Sequence, residues 1–194
     1  MQVIGLTGFA GVGKSEVANY LVGEHGFTRL SFAAPLKKML RTLNPIVGTT
    51  PSGKPVRLEI AGLGRTEQGL KESQYGDEYR RLLQVLGTDC IRAVDENFWV
   101  NAAVAQMTDP DGKYVFDDVR FPNEAETIEH YNEFGLWNIQ RPGYEAINGH
   151  ASEHYAGKMG ELFVLTNNRT LEMFQGDIDL AVVIYLGGVA SASI

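Results

Sequence analysis

The sequence has one cysteine, a shortage of basic residues and no long apolar run, and each of these excludes something. Cys90 alone cannot build an internal disulfide framework, which fits a reducing compartment. Lysine and arginine total 17 against 24 acidic residues, a net charge of −7. No nucleic acid polymer is therefore expected as partner, because gripping a phosphate backbone relies on surplus positive charge. No apolar stretch approaches the roughly 20 residues of a membrane helix, and Met1-Gln2-Val3-Ile4-Gly5-Leu6 lacks the basic start and cleavage site of a secretory signal. The expectation is a soluble cytoplasmic protein without a membrane partner.

What is present is ordinary globular material. With 194 residues, 44% of them hydrophobic and 21% charged, the chain has room for one domain and a lid. Such a domain buries roughly 70% of its unfolded surface. Residues 2–7 form a short apolar run that suits a buried parallel strand. From Lys14, the spacing of Val17, Ala18, Leu21 and Val22 predicts an amphipathic helix that stops near Gly23 or Gly26. A strand is expected within 27–32, then a helix from Pro35 through Leu36, Met39, Leu40 and Leu43. Between residues 44 and 78 three prolines and six glycines break any period, and this stretch is read as an excursion or mobile flap. Helices are expected over 79–94, with Leu82, Leu83, Leu86 and Cys90 on one face, and over 96–107. A strand over 113–118 then ends in two carboxylates, followed by a helix (122–134), a strand (136–140), a polar loop (141–160), a strand (162–166) and a closing helix (171 to about 185), with a frayed tail. Alternating strands and helices imply an α/β fold, a doubly wound parallel sheet with helices on both faces.

Gly8-Phe9-Ala10-Gly11-Val12-Gly13-Lys14-Ser15 matches the pattern G-x-x-x-x-G-K-[ST]. Glycines let a backbone turn tightly enough to aim its N–H groups at a polyphosphate, and the following helix adds its positive end. Gly8, Ala10, Gly11, Val12, Gly13, Lys14, Ser15 and Glu16 are the candidate ATP contacts, with Lys14 reaching the β and γ phosphates and Ser15 ligating Mg²⁺. A chance match in a chain of this composition is roughly a one in a hundred event, before the expected strand and helix around it are counted.

A phosphate-binding loop names no reaction. The guanine-reading Asn-Lys-x-Asp of a GTPase is missing at 166–170, and a small chain with one such loop looks like a kinase for a small metabolite. Phosphoryl transfer needs spread positive charge and a positioned acceptor. Lys37, Lys38, Arg80, Arg81, Arg120 and Arg141 fall at strand ends and helix starts, where ligand crevices of α/β sheets lie. Asp117 and Asp118 have the position of a carboxylate that holds Mg²⁺ through water or orients an acceptor hydroxyl, and Asn167 is a candidate for the adenine edge.

Several blocks occur in order: the glycine loop, Ser31-Phe32-Ala33-Ala34-Pro35-Leu36-Lys37, Arg80-Arg81-Leu82-Leu83-Gln84-Val85-Leu86-Gly87-Thr88-Asp89, Phe98-Trp99-Val100, Asp118-Val119-Arg120, Arg141-Pro142-Gly143, His150-Ala151-Ser152-Glu153 and Thr166-Asn167. Together they resemble the bacteriophage-type deoxynucleoside monophosphate kinases. The resemblance implies transfer of the γ-phosphoryl of ATP, with Mg²⁺, to a deoxynucleoside 5′-monophosphate. It implies Lys14, Arg80, Arg120 and Arg141 as the charged catalytic set. It also implies a substrate pocket of Lys37, Arg80, Arg81, Trp99, Asp118, Arg120 and Glu124, a homodimer, and the host cytoplasm as location if the chain is phage-encoded. Where some members carry Asp-Thr after the loop lysine, this chain has Ser15-Glu16.

Plainer readings stand beside these. Arg80 and Arg81 can be solvated charges, Trp99 a core residue, Asp118 and Arg120 a surface ion pair, and Glu124 a helix stabiliser. His150 to His154 also fits a zinc-binding H-x-x-E-H, but Gly149 and Gly157 leave little helix for it, and residues 141–160 are read as a lid over the phosphates. A dephospho-coenzyme A kinase-like enzyme and an ATP-binding regulatory module remain the alternatives.

Overall fold

A computed structural model describes residues 1–144, 155, 159 and 163–191. The chain divides into two compact units, one made of Met1–Phe32 and Ala103–Ile194, the other of Ala33–Ala102.

The first unit contains a five-stranded parallel sheet. With elements numbered along the whole chain, it carries β1 (Gln2–Thr7), α1 (Lys14–His25), β2 (Thr28–Leu30), β5 (Lys113–Phe116), α7 (Pro122–Tyr131), β6 (Leu136–Gln140), β7 (Phe163–Thr166) and α8 (Leu171–Ser191). Strands run β2-β5-β1-β6-β7 across the sheet. The register pairs Gln2 with Lys113 and Gly5 with Phe116 on one side of β1, and Gly5 with Leu136 and Thr7 with Asn138 on the other. β1 is thus central, and the strand order reverses on either side of it, which is where an open α/β sheet presents its ligand crevice.

Alternation along β1 sends Ile4 and Leu6 into a core with Val17, Ala18 and Leu21 of α1, Trp137 and Ile139 of β6, and Phe174, Ile178, Ala181 and Tyr185 of α8. The other face is covered by α7: a Cβ on Gly5 would lie 2.7 Å from Ile128 and 2.9 Å from Val119, so only glycine lets that helix sit so close. On its β6 side β1 is paired only from Gly5 onward. The Tyr185 hydroxyl, fully buried, fills the gap by accepting from Val3 N at 2.8 Å and donating to Val3 O at 3.2 Å.

The second unit carries α2 (Ala34–Leu43), a β3–β4 hairpin (Ile46–Thr49, Pro55–Arg57), α3 (Leu58–Gly62), α4 (Glu67–Lys71) and α5 (Gly76–Gln84). It continues as a π-helical stretch (Val85–Arg92), and α6 (Phe98–Val104) begins in it. Leu40, Val47, Val56, Leu58, Ala61, Leu70 and Tyr79 form its core. The stretch 44–78, which sequence could not parse, holds the hairpin and two five-residue helices, elements too short to display a period. Glu67 accepts from Lys37 and Lys71, each at 2.9 Å. Burial pushes its carboxyl up, but the two ammonium groups outweigh burial and hold it below the ordinary carboxylate range.

Some expectations are corrected. Cys90 is exposed rather than on a helix face, because the wider π-helical turn from Val85 rotates it off the α-helical phase. Val22 and Leu43 are 40% and 60% exposed, leaving narrower apolar faces on α1 and α2 than their composition suggests. The closing helix runs on to Ser191.

Two outcomes follow. Tyr185→Phe should lower stability by about 1–3 kcal/mol in urea unfolding, with unchanged far-ultraviolet circular dichroism, because Val3 loses its buried partner. Glu67→Gln should cost about 1 kcal/mol at pH 7. Since the folded carboxyl titrates below the unfolded one, that stabilisation is present above the unfolded pKa and lost as pH falls through the folded value, so the gap in melting temperature should shrink between pH 7 and pH 3.

Candidate active site

The glycine loop leaves the carboxyl end of β1 through three left-handed glycines, Gly8 (φ 131°), Gly11 (φ 81°) and Gly13 (φ 114°). At Gly8 the backbone alongside also excludes a side chain, while at Gly11 and Gly13 a neighbouring side chain would have to shift. A Cβ on Gly8 would meet the Ile139 carbonyl oxygen at 2.2 Å, on Gly11 the Tyr144 ring at 2.6 Å, and on Gly13 Asn167 Nδ2 at 2.7 Å. Gly13 occupies the position before α1 and brings no side-chain hydrogen bond to the helix start. A first turn opened by glycine alone keeps its positive end available to an anion. Val12 is buried against the core beneath the loop, while Ser15 at the start of α1 is exposed.

Lys14 curls over the loop, its Nζ donating to Gly8 O and Phe9 O at 2.7 Å each. An ammonium held there lies over the turn that the sequence reading assigns to phosphates. Asn167, just past β7, donates through Nδ2 to Val12 O at 3.0 Å, so it braces the loop from the side. Arg141 stacks on the Tyr144 ring, 5.2 Å from its centroid, and that ring lies against Gly11.

The two carboxylates after β5 have separate partners. Asp117 pairs with Arg29, whose same nitrogen also donates to Ser15 Oγ at 3.3 Å. Asp118 instead accepts from Ser31 Oγ at 2.7 Å and from Phe32 N at 2.9 Å, pinning the chain after β2. Asp117 is therefore the one that geometry links to the Ser15 hydroxyl. Hydroxyl and carboxylate oxygens are the hard donors Mg²⁺ takes, so Ser15 and Asp117 fit that ion together with nucleotide phosphates. Among the described residues no group of three or more His, Cys, Asp and Glu stands ready to hold a metal without such help.

Arg120 is exposed, directly before α7, and its turn is held from below. The Glu124 carboxylate, 3% exposed, accepts from Arg120 N at 2.8 Å and Phe121 N at 3.2 Å. Glu124 thus does what a first-turn glutamate does for a helix, and in doing so fixes the backbone that carries Arg120.

The remaining candidates lie in the second unit. Arg80 donates to Asp77 and to Lys71 O, both at 2.8 Å, and Arg81 makes a two-pronged bond to Glu78 at 2.7 Å on each prong. The Arg81 guanidinium holds the Glu78 carboxyl below its ordinary range, and Glu78 in turn raises Arg81. Both arginines are thus braced by carboxylates one turn earlier on α5. Lys37 is tied to Glu67. Trp99 is 3% exposed, donates from Nε1 to Gly87 O at 2.9 Å and meets Phe98 edge-on at 4.8 Å, which is the environment of a buried wall rather than an open stacking face. Gly87 packs so tightly on Leu36 that a Cβ would lie 2.6 Å from it, at the middle of the π-helical Leu-Gly-Thr-Asp block. The segment 150–154, and with it the zinc-like pattern and most of the expected lid, lies outside the described residues.

Sequence reasoning missed Arg29 and Tyr144. Arg29 sits in a three-residue strand with no motif around it, and Tyr144 follows a turn whose direction no spacing reveals.

A family model for deoxynucleotide monophosphate kinase matches residues 65–178, more than half of the chain. A protein of Acanthamoeba polyphaga mimivirus, provisionally named a deoxynucleotide monophosphate kinase, is 31% identical over 92% of this chain and 94% of its own length. With a parallel α/β sheet, a glycine cradle at the end of its central strand and this match, the chain belongs to the deoxynucleotide monophosphate kinase family.

Proposed function

We propose that the chain transfers the γ-phosphoryl group of ATP to a deoxynucleoside 5′-monophosphate, yielding two diphosphates. The observation that carries this is the glycine cradle: three positive-φ glycines, the first closed to a Cβ by the Ile139 carbonyl, at the carboxyl end of the central strand and leading straight into α1. Backbone amides of Gly8 to Ser15, with Ala10 and Val12 among them and Glu16 following, bind the triphosphate, and Asn167 holds the loop's flank at the adenine side.

Phosphoryl transfer passes little covalent work to the protein, so the residues act by charge and position. Lys14 leaves its loop carbonyls for the β and γ phosphates. Arg120, on a turn fixed by Glu124, and Arg141, steadied by Tyr144, supply positive charge to the transferred group. Arg80, Arg81 and Lys37 bind the acceptor's phosphate, exchanging carboxylate partners for it, and Asp118 orients the acceptor. Trp99 shapes the pocket wall that accommodates the base. Mg²⁺, held by Ser15 with Asp117 through water, neutralises phosphate charge when it is bound. The protein acts as a homodimer in the cytoplasm, with small molecules as its partners. No helix among the described residues is long and apolar enough to cross a membrane.

A coupled assay of ADP release over a panel of nucleoside and deoxynucleoside monophosphates, with dephospho-coenzyme A included, tests this. Turnover that depends on a deoxynucleoside monophosphate is expected, and slow hydrolysis indifferent to any acceptor overturns it. Lys14→Ala should lower kcat by at least about a hundredfold, the scale of losing one preorganised charge contact to the transition state. Arg120, which stands in the acceptor pocket as well as beside the transferred group, gives a second check: Arg120→Ala should raise the acceptor KM more than the ATP KM, and an equal rise in both removes Arg120 from the acceptor pocket.

A further inference from the structure

Arg29 has no part in the reading above, yet it touches more of the proposed metal side than any other side chain. From β2 its guanidinium spans α1 and the end of β5: one nitrogen donates to Asn19 Oδ1 at 2.9 Å, the other to Ser15 Oγ at 3.3 Å and to the Asp117 carboxylate. Asn19 lies one turn after Ser15, so Arg29 grips two successive turns of a single helix face. A guanidinium keeps its charge at any physiological pH and offers five donors in a rigid plane. The two oxygens assigned to the metal therefore share one cation, the Arg29 guanidinium.

That arrangement bears on the order in which metal and nucleotide can bind. Ser15 and Asp117 give Mg²⁺ at most two protein oxygens, and no cluster of three or more ligating side chains exists among the described residues to add to them. Mg²⁺ surrenders its water reluctantly and is ordinarily held by one or two carboxylates plus substrate phosphates. A free divalent ion must in addition displace a tethered positive charge or sit beside it, and like charges at such range repel. Triphosphate oxygens change the balance, since they supply further ligands and negative charge that lets both cations remain.

We propose that Arg29 is a positioning residue that closes the Ser15–Asp117 oxygens to free divalent cations and yields them only when the nucleotide's phosphates arrive. It releases Ser15 while keeping Asn19 as its pivot. Metal and nucleotide are thereby coupled: each strengthens the other's binding, by the same factor in both directions. This inference rests on Ser15 and Asp117 being the metal-side oxygens.

Manganese is the probe, followed by the paramagnetic resonance signal of the free aquo ion, with wild-type protein, Arg29→Met, Arg29→Gln and Arg29→Lys, each with and without a non-hydrolysable ATP analogue. Wild-type protein with the analogue should remove more free Mn²⁺ than the same concentration of analogue alone, and wild-type protein without the analogue should remove almost none. Arg29→Met and Arg29→Gln should bind Mn²⁺ alone about tenfold or more tightly than wild type, with a correspondingly smaller gain from the analogue. Arg29→Lys, which keeps the charge, should stay close to wild type. Comparable Mn²⁺ binding by wild type with and without the analogue overturns the proposal, and that arm needs no variant. Variants that bind free Mn²⁺ no better than wild type overturn it equally. Wild-type protein that fails to bind Mn²⁺ even with the analogue, while still binding the analogue, removes Ser15 and Asp117 from the metal side and the proposal with them. The acceptor assay above would be unaffected by the first two results.

Discussion

Close approach of backbone to backbone beneath the glycine loop is the constraint on which the site depends. At Gly8 the loop runs so near the Ile139 carbonyl of β6 that a single methyl group would stand 2.2 Å from it. A left-handed turn at the same residue aims the chain across the ends of the strands instead of away from them. Gly13 repeats the device against Asn167 beyond β7. The loop is thus held between strand ends on one side and the first turn of α1 on the other. Ser15, Asp117 and Arg29 come together only because β1, β2 and β5 are neighbours in this sheet.

Much of this was legible in the residues. β1 was readable from the apolar run Val3 to Leu6, its following helix from the spacing of Val17, Ala18 and Leu21, and the loop between them because its chemistry demands a fixed composition. β6 was bounded correctly by the switch from glycine to apolar residues at Gly135. Periodicity failed where elements were short or irregular: β3, β4, α3 and α4 span three to five residues each, and the π-helical stretch changes its turn from within. Partner choice was the other illegible part. Adjacent aspartates at 117 and 118 are equivalent on paper, yet in the turn that follows β5 one pairs with Arg29 and the other accepts from Ser31 and Phe32.

The same contrast separates positions by what they do. Glu124 and Trp99, singled out for a substrate, are also structural: one completes the turn before α7, the other joins α6 to the π-helical block. A buried side chain can serve a pocket by fixing the residues that line it. Arg80 and Arg81 show the opposite case, since their carboxylate partners are exposed or nearly so and can be exchanged for another anion at little cost.

Tyr185 places a demand on how the molecule is made. Its hydroxyl grips Val3, 182 residues earlier in the chain, at the middle of the sheet rather than at an edge. Synthesis runs from the amino end, so the strand that organises every later pairing is finished first and waits longest for its last neighbour. During translation β1 can pack on α1 early, but its strand neighbours arrive only with β5 and β6, and its β6 flank is sealed only when α8 leaves the ribosome. A nascent chain stalled before that helix would expose the heart of its own sheet.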